Sequence, residues 1–192
     1  MDKQGIAFLT VRVVVSIVIV AAITGISYLG MKNVMPTIEE GKVKKQVEEL
    51  DSIFHQMVVG DARDVALQQD YKTEYGERHT YKFDLPSRLI YLGIGTDPDP
   101  NNDGKYQCKL TENGNVIVYK IDGRGKRIYW LDDDIKIRMG EYRNNNWLIK
   151  KPEEGLVITH EGIYEITFEL VKYHDEKYIL IYANNSVPYE VS

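Results

Sequence analysis

Val13–Met31, VVVSIVIVAAITGISYLGM, is a run of nineteen residues without a charge. As a helix rising about 1.5 Å per residue it covers roughly 28 Å, close to the ~30 Å hydrocarbon thickness of a bilayer. It is apolar on every face, which a surface helix of a water-soluble domain is not. Valine and isoleucine are weak helix formers in water, but a bilayer offers no solvent to unpaired backbone groups, so a helix is still expected. Upstream the apolar character reaches back to Ile6 and only Arg12 interrupts it. The long stem of an arginine near a helix end can carry its charge to the interface.

Three fates fit such a segment. It can be a permanent anchor. It can be a cleaved secretory signal, with Val13–Val20 as the apolar core and Val20-Ala21-Ala22 as the cut, although apolar residues continue through Leu29 past that point. The third fate comes from a resemblance. The short polar leader Met1-Asp2-Lys3-Gln4-Gly5, followed at once by the apolar stretch, resembles the class III signal of type IV pilins and pilin-like proteins, the archaeal ones in particular. Thr10 stands where bacterial pilins carry a glutamate, and Arg12 is a second departure from their pattern. The resemblance implies processing between Gly5 and Ile6, retention of the helix, and bundling of the apolar halves when subunits enter a filament. It divides the chain into a leader (1–5), a transmembrane helix (6–35), an amphipathic stalk (36–59) and a head (60–192).

Past the apolar run, Pro36 and then Thr37-Ile38-Glu39-Glu40 read as a kink or a brief break followed by a capping box, Thr37 and Glu40 satisfying each other's amides. The rod from Ile6 to about Val59 can still be nearly continuous. Val43, Val47, Leu50, Phe54 and Met57 then recur at spacings of four and three, with Lys42, Lys44, Lys45, Glu48, Glu49 and Asp51 off the stripe. That is one apolar helix face. It spans about two heptads, short for an isolated coiled coil, so packing on the protein's own head is preferred over a partner helix. Both uses can share the face.

After Gly60 the chain is rich in Tyr, Ile, Val and Thr, punctuated by Gly, Asn and Asp, the pattern of short antiparallel strands. Strands are expected at Thr80–Asp84, Arg88–Ile94, Tyr106–Leu110, Asn115–Ile121, Lys126–Leu131, Ile135–Met139, Trp147–Lys150, Leu156–Thr159, Tyr164–Tyr173 and Tyr178–Ala183. Asn113-Gly114 is the strongest hairpin signal and Asp122-Gly123 the second. In Tyr164–Tyr173 alternation puts Tyr164, Ile166, Phe168 and Leu170 on one face and Glu165, Thr167 and Glu169 on a wet one. The fold class is α+β: a long N-terminal helix and an antiparallel β-rich head, as a meander or a sandwich.

The 192 residues carry 24 Lys+Arg against 29 Asp+Glu, a net charge of −5, and no basic block. A nucleic-acid partner is therefore not expected. The single cysteine, Cys108, excludes an intramolecular disulfide and is expected to be buried. Asp97, Asp99, Asn101 and Asp103 place oxygens at every second position before Gly104. Calcium takes six to eight oxygens, so such a loop can present several to a Ca2+ ion. The twelfth position counted from Asp99 is Leu110, however, so it is not an EF-hand, and a Pro/Asn/Asp/Gly turn with solvated carboxylates is the preferred reading. Asp132-Asp133-Asp134 reads as a turn. His55, His79, His160 and His174 are scattered, and no nucleophile elbow, P-loop, dinucleotide fingerprint or zinc-protease helix is present, so catalysis is not expected. Asn184-Asn185-Ser186 is a glycosylation sequon at Asn184. Lys3 and Arg12 on one flank against Lys32, Lys42, Lys44 and Lys45 on the other do not fix orientation; the head is placed outside the cell membrane. The expectation is a single-pass, pilin-like surface protein, with itself or related subunits as partners through the N-terminal helix. The alternatives are an anchored binding or sensor module that does not polymerise, and an anchored enzyme.

Overall fold

The computed structural model describes residues 3–65, 76–143, 146–149 and 154–182. The chain divides into two compact units, Met1–Ile38 and Glu39–Ser192. One helix, α1 (Lys3–Val58), contains Pro36 without a break. The expected restart at Thr37 therefore does not occur. Proline removes one backbone donor and so leaves one carbonyl unbonded, but no new helix N-terminus forms, and the capping box has no free amides to satisfy. Glu40 is instead paired with Arg124 and Arg127.

Within Glu39–Ser192 ten strands follow in chain order: β1 (Arg63–Asp64), β2 (Arg78–Leu85), β3 (Leu89–Ile94), β4 (Val116–Ile121), β5 (Arg127–Trp130), β6 (Ile137–Arg143), β7 (Asn146–Ile149), β8 (Leu156–Ile158), β9 (Gly162–Tyr173) and β10 (Glu176–Tyr182). They form a six-stranded sheet ordered β1-β9-β10-β6-β7, with β2 also on β9, and a four-stranded sheet ordered β5-β4-β3-β8. This non-sequential order excludes a simple meander. Nor is the pairing antiparallel throughout, since β1 runs parallel to β9 and β10 parallel to β6. Both parallel contacts join segments distant in sequence, which no local alternation reveals.

The two sheets and the helix share one core. Phe83, Leu85, Ile137, Met139, Ile166, Phe168, Leu170, Ile179 and Ile181 come from one sheet, and Leu92, Ile94, Ile117, Ile121, Leu156 and Ile158 from the other. Val43, Val47, Leu50, Phe54 and Met57 enter the same cluster and are at most 1% exposed. The stripe is thus spent on the protein's own packing. At about 1.5–3 kcal/mol for each large side chain taken from water, it is the main tie between helix and sheets.

Polar contacts close the sheet edges against the helix. Gln46 acts as a substitute strand on the open side of β2: its Nε2 donates to the Asp84 carbonyl (3.1 Å) and its Oε1 accepts from the Asp84 amide (2.7 Å). Beside it Tyr81 donates to Glu49, and Lys42 pairs with Asp84 at 2.5 Å. On the other sheet β5 is held by Arg127 to Glu40 and by Tyr129 to Asp51. Edges covered in this way do not template pairing with other chains. At the end of α1, Lys177 Nζ donates to the Val58 and Gly60 carbonyls (2.9 and 3.2 Å), where a cation also meets the negative end of the helix dipole.

Asp122-Gly123 opens the β4–β5 hairpin as expected, Gly123 having φ 77°. Asn113-Gly114 is a turn but joins no strand pair. Tyr106–Leu110 forms only isolated bridges, Thr96 with Leu110 and Lys109 with Glu154. The β9–β10 hairpin turns on His174 and Asp175, both at positive φ (49° and 66°). Side chains with a Cβ are strained there, Asn and Asp least and glycine not at all. Replacing the pair by Asn-Gly is expected to stabilise the body by on the order of 1 kcal/mol, read from the urea midpoint at unchanged slope.

Candidate functional site

The acidic loop after β3 is built around Asp99, 2% exposed. Its Oδ1 accepts from the Asp103 amide (2.8 Å), and both its carboxylate oxygens lie 3.3 Å from the Gly104 amide. Asp97 Oδ1 accepts from the Asp99 amide (3.1 Å), and Asp97 Oδ2 takes the ammonium of Lys126 at 2.8 Å. Asp103 turns away to the Lys105 amide (3.0 Å) and Asn101 is exposed. Asn102 and Gly104 supply the positive φ the loop needs (54° and 78°).

In this structure Asp97, Asp99 and Asp103 turn carboxylate oxygens onto backbone amides, and Asp97 also onto Lys126, which brings a positive charge to the loop. Among the described residues no group of three or more His, Cys, Asp and Glu is placed to hold a metal. The Asp97 and Asp99 carboxylates are largely shielded from solvent while Asp103 is exposed, so a turn with solvated carboxylates describes only part of the loop. Tyr91 lies under the loop, wholly buried, its ring edge-on to Tyr106 at 5.5 Å. Its hydroxyl has no hydrogen-bond partner. Burial, then the fields of Asp97 and Asp99, push its ionisation well above the usual phenol range.

A second charged cluster ties α1 to the turn before β6. His55 Nδ1 lies 2.9 Å from the Asp51 carbonyl and 3.2 Å from its Oδ1, and Nε2 lies 2.8 Å from Asp132 Oδ2. Tyr129 donates to Asp51 Oδ2 at 2.9 Å. Both ring nitrogens face oxygens that can only accept, so the geometry calls for the imidazolium. These bonds, first the Asp51 carbonyl and then Asp132, raise the His55 pKa above its ordinary 6.5. A raised histidine pKa stabilises fully below the unfolded value, and the gain is lost as pH rises through the folded one. The pair is largely exposed, so His55→Gln is expected to cost under about 1 kcal/mol. That cost should appear at pH 5.5 and vanish at pH 9, as read by urea unfolding at both. A loss equal at the two pH values would remove the imidazolium from the account. The other members of the acidic turn are placed as expected: Asp133 accepts from Asn115 (3.4 Å) and the Asp132 carbonyl from the Ile135 amide (3.0 Å).

On its own, the unit Met1–Ile38 is a helix whose described side chains from Val13 to Met31 face outward. Val13, Ile17, Val18, Val20, Ile23, Ile26 and Leu29 are 51–72% exposed. One window of this helix has a mean hydropathy of 2.3, long and apolar enough to cross a membrane. Ser16 and Thr24 return their hydroxyls to the carbonyls of Arg12 and Val20 (2.9 and 2.8 Å), leaving neither donor unpaired. Gly5 and Ile6 lie in the first turns of α1.

Comparison with protein families, curated proteins and solved structures finds no match. The reading of this chain therefore rests on its own geometry.

The strongest polar site was not legible in the sequence. Glu169, expected on the wet face of β9, is fully buried and takes a two-pronged bond from Arg63, Nε to Oε1 and Nη2 to Oε2, both at 2.9 Å. The Gly76 amide donates to Oε1 at 2.9 Å, and Arg78 Nε lies 3.5 Å from the same oxygen. Arg78 also donates to the Tyr182 hydroxyl and covers its ring. Every contact here is internal, the arrangement of a structural clamp. Cys108 is buried as expected, and the sequon at Asn184 lies outside the described residues.

Proposed function

We propose that this chain is a membrane-anchored, pilin-like surface protein that holds its β-rich body outside the cell as a subunit or accessory of an extracellular filament or adhesive complex. The observation that carries this reading is the helix itself. Its N-terminal half presents apolar side chains outward, while on the same helix Val43 to Met57 turn theirs into the protein's own core. Exposed apolar surface costs about 25 cal/mol per Å2 in water, so the first half needs lipid or a bundle of sister helices around it. In this reading the protein works by association and not by catalysis.

One observation favours an anchored binding or sensor module that does not polymerise. The amphipathic stripe is consumed within the subunit, so self-association would rest on residues 13–35 alone.

The test is the intact mass of detergent-extracted protein together with its presence in filaments sheared from the cell surface. A mature chain beginning at Ile6 and recovered in filaments is expected. Loss through about Ala22 would end the reading, because the anchor would be gone. A membrane-bound chain retaining Met1 and absent from sheared material would leave the non-polymerising anchor.

A further inference from the structure

We propose that Lys126 and Asp97 condense to an intramolecular amide that fastens the loop after β3 to the β4–β5 hairpin. The reacting groups are already in contact, Lys126 Nζ lying 2.8 Å from Asp97 Oδ2 with the two side chains only 19% and 13% exposed. A second bond, from Nζ to the Asp99 carbonyl at 2.9 Å, fixes the nitrogen in place. Asp99 is buried and held by its own loop amides. Beneath the loop sits the Tyr91 hydroxyl, buried and without a partner. Reactive groups held in contact and largely screened from water react as one molecule.

The step balances without an oxidant or any co-reactant. A proton passes from the ammonium of Lys126 to the carboxylate of Asp97 along their hydrogen bond, giving a neutral amine and a neutral acid. The nitrogen lone pair then attacks Cγ. The Nζ–Cγ bond forms and the Cγ–Oδ2 bond breaks. Oδ2 leaves as water, carrying the acid's proton and one from nitrogen. The remaining amide N–H keeps its bond to the Asp99 carbonyl. With one cysteine in the chain, no disulfide can restrain the body, and a link from 97 to 126 would restrict its unfolded state in the same manner.

The test is peptide mass analysis of the full chain extracted in detergent and digested with trypsin. The expected product is a branched peptide joining the segment of Asp97 to that of Lys126, lighter than their sum by one water, with no cleavage after Lys126. Lys126→Arg keeps the charge pair and the fold but lacks a condensing amine, so it should yield only linear peptides of full mass. Linear Asp97 and Lys126 peptides in the wild-type chain would overturn the proposal. So would a water loss that persists in Lys126→Arg, which would trace the loss to cyclisation elsewhere.

Discussion

Replacing Glu169 by alanine is expected to cost about 3–5 kcal/mol, because one partner of a buried ion pair is removed and Arg63 loses both bonds it makes to that carboxylate. Arg63 is 3% exposed at its side chain and donates twice to Glu169. Water cannot replace the carboxylate without opening the sheet. The loss reaches further than the pair, since the Gly76 amide also gives its hydrogen to Glu169. Gly76 packs so tightly that a Cβ there would come within 1.9 Å of the Leu170 carbonyl. The next residue is stitched to β9 by the Leu170 amide to the Glu77 carbonyl, and to the segment before β1 by the Glu77 amide to the Asp61 carbonyl. Without the carboxylate, β1 and the entry to β2 lose their common anchor. Glu169→Gln keeps the shape but turns a donor toward a donor, and is expected to cost about 1.5–3 kcal/mol. Arg63→Ala should cost less than Glu169→Ala, because Glu169 keeps Gly76 and Arg78. The double variant should fall short of the sum of its parts. Urea unfolding of the full chain in detergent measures all four, and a Glu169→Ala loss below about 1 kcal/mol, the range of an exposed pair, would contradict the clamp.

What could be read from the sequence follows from how local each cause is. The apolar run and the Val43–Met57 stripe are helical periods, and both appear as helix. The strand signals were read correctly except at Tyr106–Leu110, where alternation was present but the segment is claimed by other contacts. The Gln107 amide bonds the Pro98 carbonyl, and Tyr106 stacks on Tyr91, which bends it out of the sheet. Glu169 shows the same limit from the other side. Its alternation with Phe168 and Leu170 was read correctly, but the wet face is dry there because Arg63 arrives from 106 residues away. The strand Arg63–Asp64 is too short to carry a pattern. In the acidic loop the spacing of oxygens was legible, whereas Lys126, 29 residues from Asp97, was not. A charge that far along the chain decides whether such a loop faces a metal or a lysine. At Pro36 the pattern allows a kink, a break or a nearly continuous rod, and the helix continues on either side of it, since a proline costs it one hydrogen bond.

Phe54→Ala is the second large expected loss, about 3–5 kcal/mol for an aromatic side chain removed from a packed core. Phe54 is wholly buried, and its ring meets Phe168 of β9 edge-on, 5.0 Å between centroids at 76°. It lies midway along the stripe, with Leu50 and Met57, also fully buried, on either side, so the neighbours cannot collapse into the void without moving α1 itself. Phe54→Leu fills most of that volume and should cost clearly less. Because the stripe packs on its own body, Phe54→Ala should lower the unfolding midpoint to the same extent at low and high protein concentration. A substitution in the exposed half, Ile19→Ser, provides the reference. Ile19 belongs to the unit Met1–Ile38 and is 52% exposed, so the change should leave the body's unfolding within about 0.5 kcal/mol of the parent, while weakening whatever lipid or sister-helix contact the outward apolar face makes.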